Sequence, residues 1–118
     1  MTETGQINPD AAPSGTGCAE CLSAEPSGWW FHLRRCAACG HVGCCDSSPS
    51  QHARRHWEDT DHRYMQSFEP GEDWFWDFKS DQEATGPTLA PPQGHPADQP
   101  VPGPAGAVPH DWVARLNS

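Results

Sequence analysis

The chain has 118 residues and a formal net charge of -9, because sixteen acidic residues outnumber seven basic ones. This length allows one domain at most, and the acidic balance disfavours nucleic acid as a partner because phosphate groups would repel such a surface. The N-terminus lacks the basic start and apolar run of a secretory signal, and no run of about 18 apolar residues occurs anywhere, so we expect a cytoplasmic protein with no membrane partner.

The first segment, residues 1–17, is a polar arm rich in Gly, Pro and Ser. Its composition cannot bury enough apolar surface to fold alone, and we expect it to be disordered. Ten of the eleven aromatic residues fall between Trp29 and Phe78. The sequence therefore places the folded domain at residues 18–83.

Two pairs of strands are predicted within this domain. Residues 29–35 alternate large side chains with period two, and residues 41–44 form a second short strand. Residues 63–69 and 73–78 read as a hairpin, joined by a Pro-Gly sequence that suits a type II turn. We expect a small α+β fold with a short antiparallel sheet.

One main helix is predicted between the two strand pairs. Ser48 is a good N-cap residue, Pro49 fits the first helical position, and Gln51 completes a Ser-x-x-Gln capping box. The helix should then span residues 49–59. This helix places His52 and His56 four residues apart on one face.

The last segment, residues 84–118, is a Pro/Gly-rich tail that holds eight of the thirteen prolines. We expect it to be disordered and to act as a spacer or a peptide ligand. Near its end, Trp112, Val113 and Leu116 have helical spacing and predict a terminal docking motif.

Metal ligands are the strongest signal in the chain. Eight Cys and His residues lie within one short stretch: Cys18, Cys21, Cys36, Cys39, Cys44, His52, His56 and His62. The Cys-x2-Cys spacing aims two thiolates at one ion, and eight ligands suffice for two tetrahedral Zn²⁺ sites. Disulfides are the alternative, but reduced thiols are the cytosolic norm. Spacing alone leaves open whether the two sites are interleaved along the chain or sequential.

The residues from Cys18 to Phe78 resemble the ubiquitin-specific-protease type (UBP-type) zinc finger. The resemblance is carried by the run CAACGHVGCCDSSPSQHARRHWEDTDHRYMQSFEPGEDWFWDF, whose GHVGCCDSSP core is similar to small bacterial members. It implies two interleaved zinc sites in a zinc-stabilised fold. The implied ligands are Cys18, Cys21, Cys44 and His52 for the first site, and Cys36, Cys39, His56 and His62 for the second.

The resemblance also implies a zinc-binding module for protein interaction. Fingers of this family typically bind a partner's free C-terminal Gly-Gly carboxylate with an Arg after the third zinc Cys, a Trp, and aromatics from the last strand. Here the candidate ligand-binding residues are Trp29, Trp30, Asp46, Trp76 and Phe78. Alternatively, these aromatic side chains are core.

Asp46 stands where the family has its carboxylate-binding Arg. An acid at this position would repel a carboxylate ligand, so ubiquitin is not expected as the partner. A protein or peptide partner recognised through its tail or C-terminus remains the leading hypothesis. Arg34 or Arg35 on the preceding strand would supply a replacement cation.

Catalysis is not expected, because phosphate-loop, dinucleotide and Gly-x-Ser-x-Gly motifs are all missing. His32 and His41 are interpreted as surface residues. Asp77 occupies a position where some members of the resembled family have a Cys that binds a third zinc ion, so the resemblance implies two ions here. The alternative function is a thiol-based redox accessory protein that uses Cys45, which lies in a Cys-rich turn near a helix start.

Overall fold

The computed structural model describes residues 7–25, 28–99 and 101–111. Its elements in chain order are α1 (Ala19–Ser23), β1 (Leu33–Cys36), β2 (Val42–Cys44), α2 (His52–Thr60), β3 (Tyr64–Ser67), β4 (Phe75–Asp77), β5 (Gln82–Ala84) and a 3₁₀ turn (Ala105–Ala107). The five strands form one antiparallel sheet in the order β2-β1-β3-β4-β5. Among the described residues, no helix has the length and apolar character needed to cross a membrane.

The sheet has two faces, and the register shows which side chains share each one. Arg34 on β1 lies opposite Gly43 on β2 and Ser67 on β3. Directly paired residues point to the same face, so these three share one side. A Cβ added at Gly43 would lie 2.7 Å from the backbone nitrogen of Ala53, which places α2 against this face. Only a glycine allows the helix to approach this closely.

The helix begins later than the sequence predicted. It starts at His52, and its N-cap Gln51 is in the left-handed region at φ 50° without a side-chain capping bond. Ser48 is instead buried, and its hydroxyl accepts the Phe31 N–H at 2.8 Å. Gln51 donates to the Asp46 carbonyl at 2.9 Å. The predicted capping box is therefore wrong, because both side chains form hydrogen bonds with other partners.

The strand predictions are right in place and wrong in extent. β1 begins at Leu33, whereas Trp30 forms only an isolated bridge with Gly103 in the tail. The predicted turn of the hairpin is confirmed, since the Glu72 N–H donates to the Glu69 carbonyl at 3.1 Å and Gly71 has φ +82°. Helix α1 and strand β5 were not predicted.

Three clusters of buried side chains make the core. The first surrounds the first group of cysteines, the second lies on the sheet face opposite α2, and the third lies between α2 and the hairpin. Their buried members are Cys18, Cys21, Trp30, Leu33, Val42, Cys44 and Phe68; then Ala37, Tyr64, Phe75 and Leu89; then Ala53, Met65 and Phe78.

The described parts of the arm and the tail lie against the central domain. Leu89 is buried in the second cluster, and the His95 N–H donates to the Phe68 carbonyl at 2.9 Å. Arg35 is fully buried, and its guanidinium donates to the carbonyls of Ala11 at 2.7 Å and Pro92 at 3.2 Å.

These contacts differ from the expectation of two free, disordered segments. The physical reason is that a buried cation needs hydrogen-bond acceptors, and the arm and the tail each supply one. The boundaries at residues 17 and 83 stay predictions. The Trp112 docking motif lies outside the described residues.

Candidate metal centres and binding groove

The first candidate metal centre brings together Cys18, Cys21, Cys44 and His52. Cys18 precedes α1 and Cys21 lies within it, while Cys44 ends β2 and His52 opens α2. The Nδ1 atom of His52 lies 3.1, 3.4 and 3.6 Å from the Sγ atoms of Cys18, Cys21 and Cys44. All four ligand atoms lie within 4.8 Å of one another.

This spacing fits a zinc ion. Zn–S bonds of about 2.3 Å and Zn–N bonds of about 2.0 Å place sulfur and nitrogen about 3.5 Å apart in a tetrahedron. The His52 backbone N–H also donates to the Cys44 Sγ at 3.2 Å, so the positive end of α2 faces this thiolate. The first cluster can therefore hold one Zn²⁺.

The electrostatics of the three thiols lead to the same conclusion. Hydrogen bonds from Cys21 and Cys44 lower the pKa of the Cys18 thiol to about 2, and the same contact with Cys18 raises the pKa of Cys21. The pKa of Cys44 rises to about 12, first because of its hydrogen bond with Cys18. Crowding thus favours one thiolate at a time, and a dication is needed to stabilise three.

The second candidate metal centre brings together Cys36, Cys39, His56 and His62. The Cys36 Sγ lies 3.5 Å from the His62 Nδ1, and the Cys39 Sγ lies 3.3 Å from the His56 Nε2. Burial raises the pKa of Cys36 to about 12. Burial, then the neighbouring His41, lowers the pKa of His56 to about 4, so this imidazole is neutral as a metal ligand requires. Each of the two clusters can hold one zinc ion.

The histidines interpreted as surface residues lie outside both clusters but are not free. His41 stacks on the His56 ring at 4.1 Å, and its Nε2 lies 2.8 Å from both oxygens of Glu20. His32 Nδ1 lies 3.0 Å from the buried Glu69 carboxylate. His41 therefore supports the ring of a candidate ligand, a role that the sequence analysis missed.

Asp77 forms a structural ion pair. Its carboxylate accepts hydrogen bonds from the Arg63 guanidinium, from the Lys79 N–H at 3.0 Å and from the Ser80 hydroxyl at 2.7 Å. The Arg63 contact is the main reason that the pKa of Asp77 lies well below its usual range. This acid holds the end of β4 to the start of β3.

A groove of about 200 Å³ lies beside the third core cluster, between α2 and the hairpin. We call it the aromatic groove, and its lining residues are Arg34, Cys45, Asp46, Ser47, Ala53, Arg54, Met65, Trp74, Trp76, Phe78 and Asp81. Three of the predicted ligand-binding residues, Asp46, Trp76 and Phe78, are in this set. Phe78 is also buried against Met65, so the aromatic side chains form both the core and the floor of the groove.

Trp29 and Trp30 do not line the aromatic groove. Trp30 is buried in the core cluster around the first group of cysteines. Trp74 lines the groove in their place. The sequence carried a signal for this residue, because Trp74, Trp76 and Phe78 alternate with period two.

Arg34 is the half-buried cation of the groove. Its guanidinium carbon lies 4.7 Å from the centre of the Trp74 ring. It donates to the Leu33 carbonyl at 3.1 Å and approaches the Ser67 hydroxyl at 3.5 Å, and it forms no ion pair with any carboxylate of the described residues. Arg35, the other candidate cation, is excluded because it is buried under the arm and the tail.

From the sequence, Asp46 was expected to repel a carboxylate ligand. In the structure its charge is paired with Arg54. The Nε and Nη2 atoms of Arg54 donate to its Oδ2 at 3.0 and 2.7 Å. The same guanidinium lies 5.2 Å from the centre of the Phe78 ring. Spacing in the sequence did not predict this pair, because its members are eight positions apart with a turn between them.

Cys45 lies outside both metal clusters. The residue is 5% exposed, and its Sγ lies 3.5 Å from the Ser48 hydroxyl. The neighbouring Cys44 is the member of the first cluster, and the alternation of strand side chains explains why only one of the two faces it. Cys45 is thus a buried thiol at the edge of the aromatic groove.

Comparisons with known proteins agree with this geometry. The family model described as "Zn-finger in ubiquitin-hydrolases and other protein" matches residues 18–89. A curated relative, BRAP2 RING ZnF UBP domain-containing protein 2 of Arabidopsis thaliana, is 38% identical over 69 residues. That match covers 58% of this chain and only 12% of the plant protein.

A solved structure has the same fold. The solution NMR structure of protein RPA1320 from Rhodopseudomonas palustris is 37% identical with a TM-score of 0.63, and the match covers 86% of this chain and 97% of that one. The family match extends past the predicted boundary at residue 83, to the buried Leu89. The chain therefore belongs to the UBP-type zinc-finger family, whose members occur in ubiquitin hydrolases and other proteins.

Proposed function

We propose that this chain is a two-zinc protein-interaction module. Cys18, Cys21, Cys44 and His52 hold one ion, and Cys36, Cys39, His56 and His62 hold the other. Both ions are structural, since four protein ligands leave no open position for catalysis at either one. What the ions stabilise is the shape of the aromatic groove, because their ligands include the last residue of β1, the last residue of β2 and the first residue of α2.

The proposed ligand of the aromatic groove is a peptide segment that carries a carboxylate. The single observation behind this proposal is Arg34, a half-buried cation over Trp74 without a carboxylate partner among the described residues. A cation in such a partly desolvated position favours an anionic ligand, and the planar guanidinium matches a carboxylate. Trp74, Trp76 and Phe78 give the peptide an apolar wall.

Fluorescence anisotropy with a labelled peptide tests this proposal. The probe is a pentapeptide that ends in Gly-Gly with a free carboxylate, and its partner probe is the same peptide with a C-terminal amide. Arg34→Gln should weaken binding of the free acid by at least about tenfold, because hydrogen bonds to charged groups are the strong ones. Arg55→Gln is the control, since Arg55 is an exposed arginine on α2 that does not line the groove. Equal binding by wild type and Arg34→Gln would contradict the proposal.

The identity of the natural partner stays a prediction. We do not expect ubiquitin, because the family's carboxylate-binding Arg is replaced by Asp46. We also expect neither nucleic acid nor a membrane as the partner, and we infer a cytoplasmic setting because cysteines that bind zinc need a compartment that keeps thiols reduced. No catalytic role is proposed.

The redox alternative depends on Cys45, and its burial argues against it. A reactive cysteine is exposed and thiolate-stabilised, whereas Cys45 is 5% exposed beside a neutral hydroxyl. Mass spectrometry after mild alkylation of the zinc-loaded protein separates the two functions. Rapid labelling that Cys45→Ser abolishes would favour the redox function.

A further inference from the structure

The edge of the aromatic groove carries an ion pair that a ligand would meet first. Arg54 donates from both Nε and Nη2 to the same oxygen of Asp46. The two side chains are 32% and 48% exposed, so the pair lies at the groove mouth and not in the core. Both residues line the groove, and the Arg54 guanidinium also lies over the Phe78 ring.

The carboxylate of Asp46 is the same chemical group as the proposed ligand carboxylate. A guanidinium presents its donors in a fixed fork, and here the edge formed by Nε and Nη2 is already occupied. An incoming carboxylate therefore competes with Asp46 for Arg54. Exposed ion pairs are weak, so this exchange is energetically accessible.

We propose that Asp46 is a specificity-determining residue that acts as an internal competitor for the ligand carboxylate. This inference rests on the proposed function. With Asp46 in place, the ligand is held by Arg34 alone. When Asp46 is neutral, Arg54 is released and provides a second, bidentate grip on the same carboxylate, which comes from a free C-terminus or from an acidic side chain.

Simple repulsion by Asp46 is a different account with a different expectation. The Asp46 charge is compensated by Arg54 at 2.7 Å, so its long-range repulsion of an anion is small. In the competition that we propose, the geometry of the Arg54 fork decides the affinity. Under a purely electrostatic account, only the charge at residue 54 matters.

The test uses the zinc-loaded full chain and the Gly-Gly probe in anisotropy titrations at physiological salt. Asp46→Asn should raise affinity about two- to fivefold, because it removes an exposed ion pair that the ligand otherwise has to replace. Asn keeps the shape of Asp, and the Gln51 bond to the backbone carbonyl of residue 46 is not affected. Asp81→Asn is the matched control, since Asp81 lines the groove without a hydrogen bond to Arg54 in the described structure.

Two double variants separate the fork from the charge. In the Asp46→Asn background, Arg54→Lys keeps the charge and loses the fork, and Arg54→Gln loses both. We expect both double variants to return to the wild-type affinity. The amidated probe and a probe with an internal Glu then show which source of carboxylate the groove accepts.

Three results would overturn the inference. The first is binding by Asp46→Asn that is no tighter than wild type, and the second is an equal gain in Asp81→Asn. The third is a full gain of affinity that persists when Arg54→Lys is added to Asp46→Asn. Each of these results leaves the proposed function intact if Arg34→Gln still binds the free-acid probe more weakly than wild type. If no variant binds any probe and Arg34→Gln changes nothing, the proposed function fails and the inference falls with it.

Discussion

Replacing Cys18 with serine should unfold the domain, whereas replacing Cys39 with serine should leave most of it folded. The two residues belong to different metal clusters and differ in burial. Cys18 is fully buried, together with Cys21 and Cys44, whereas Cys39 is exposed. Water can therefore take the place of the Cys39 thiolate at the second ion but cannot reach the position of Cys18.

The magnitude follows from where the first cluster lies. Its three cysteines share a core cluster with Trp30, Leu33 and Phe68. A structural zinc site contributes about 10 to 16 kcal/mol to folding, which equals or exceeds the roughly 5 to 15 kcal/mol net stability of a whole domain. Loss of the first ion therefore removes enough free energy to unfold the chain. Loss of affinity at the half-exposed second site affects mainly the turn after β1 and the C-terminal half of α2.

Native mass spectrometry and near-UV circular dichroism check this prediction on the same samples. We expect two zinc ions in wild type, an unfolded chain without the first ion for Cys18→Ser, and a near-UV signal close to wild type for Cys39→Ser in excess zinc. Cys45→Ser is the control and should keep both ions, because Cys45 lies outside both clusters. Two ions in Cys18→Ser, or equally complete unfolding of Cys39→Ser, would refute the reasoning.

Three further outcomes are expected. Arg35→Ala should lower the free energy of unfolding by about 3 kcal/mol, because it removes two buried charged hydrogen bonds to backbone carbonyls. It should also speed proteolysis of the arm and the tail, and an unchanged cleavage rate would count against these contacts. Burial alone would raise the pKa of Glu69, but hydrogen bonds from two histidines and a backbone N–H lower it, so its stabilising contribution is complete at neutral pH and is lost as the pH falls below about 4.5. The difference in urea unfolding free energy between wild type and Glu69→Gln should accordingly shrink in acid, and a difference that is constant with pH would contradict this. Gly43→Ala should lower the free energy of unfolding by about 1 to 3 kcal/mol, because the new methyl group would lie 2.7 Å from the backbone of Ala53. Urea unfolding equal to wild type would mean that α2 can shift away from the sheet without loss of stability.

Local sequence determined the parts of this protein that depend on spacing. The two Cys pairs, the i, i+4 histidines of α2, and the nearby Cys44 and His62 predicted which eight side chains gather, and the structure brings them together in two interleaved groups. The Pro-Gly turn and the period-two pattern of the last strands predicted the hairpin. These features follow from backbone geometry over a few residues, which a sequence states directly.

Tertiary structure decided the features that depend on contacts between distant segments. Ser48 had the right chemistry for a helix cap, but its hydroxyl accepts a hydrogen bond from the Phe31 N–H instead. The sequence also suggested Arg34 and Arg35 equally as the cation of the groove. Adjacent strand residues face opposite sides of a sheet, and only the packing shows that Arg34 lies by Trp74 while Arg35 lies under the arm and the tail. A polar side chain bonds to the partner that folding brings near it, and its position in the sequence does not specify which partner that will be.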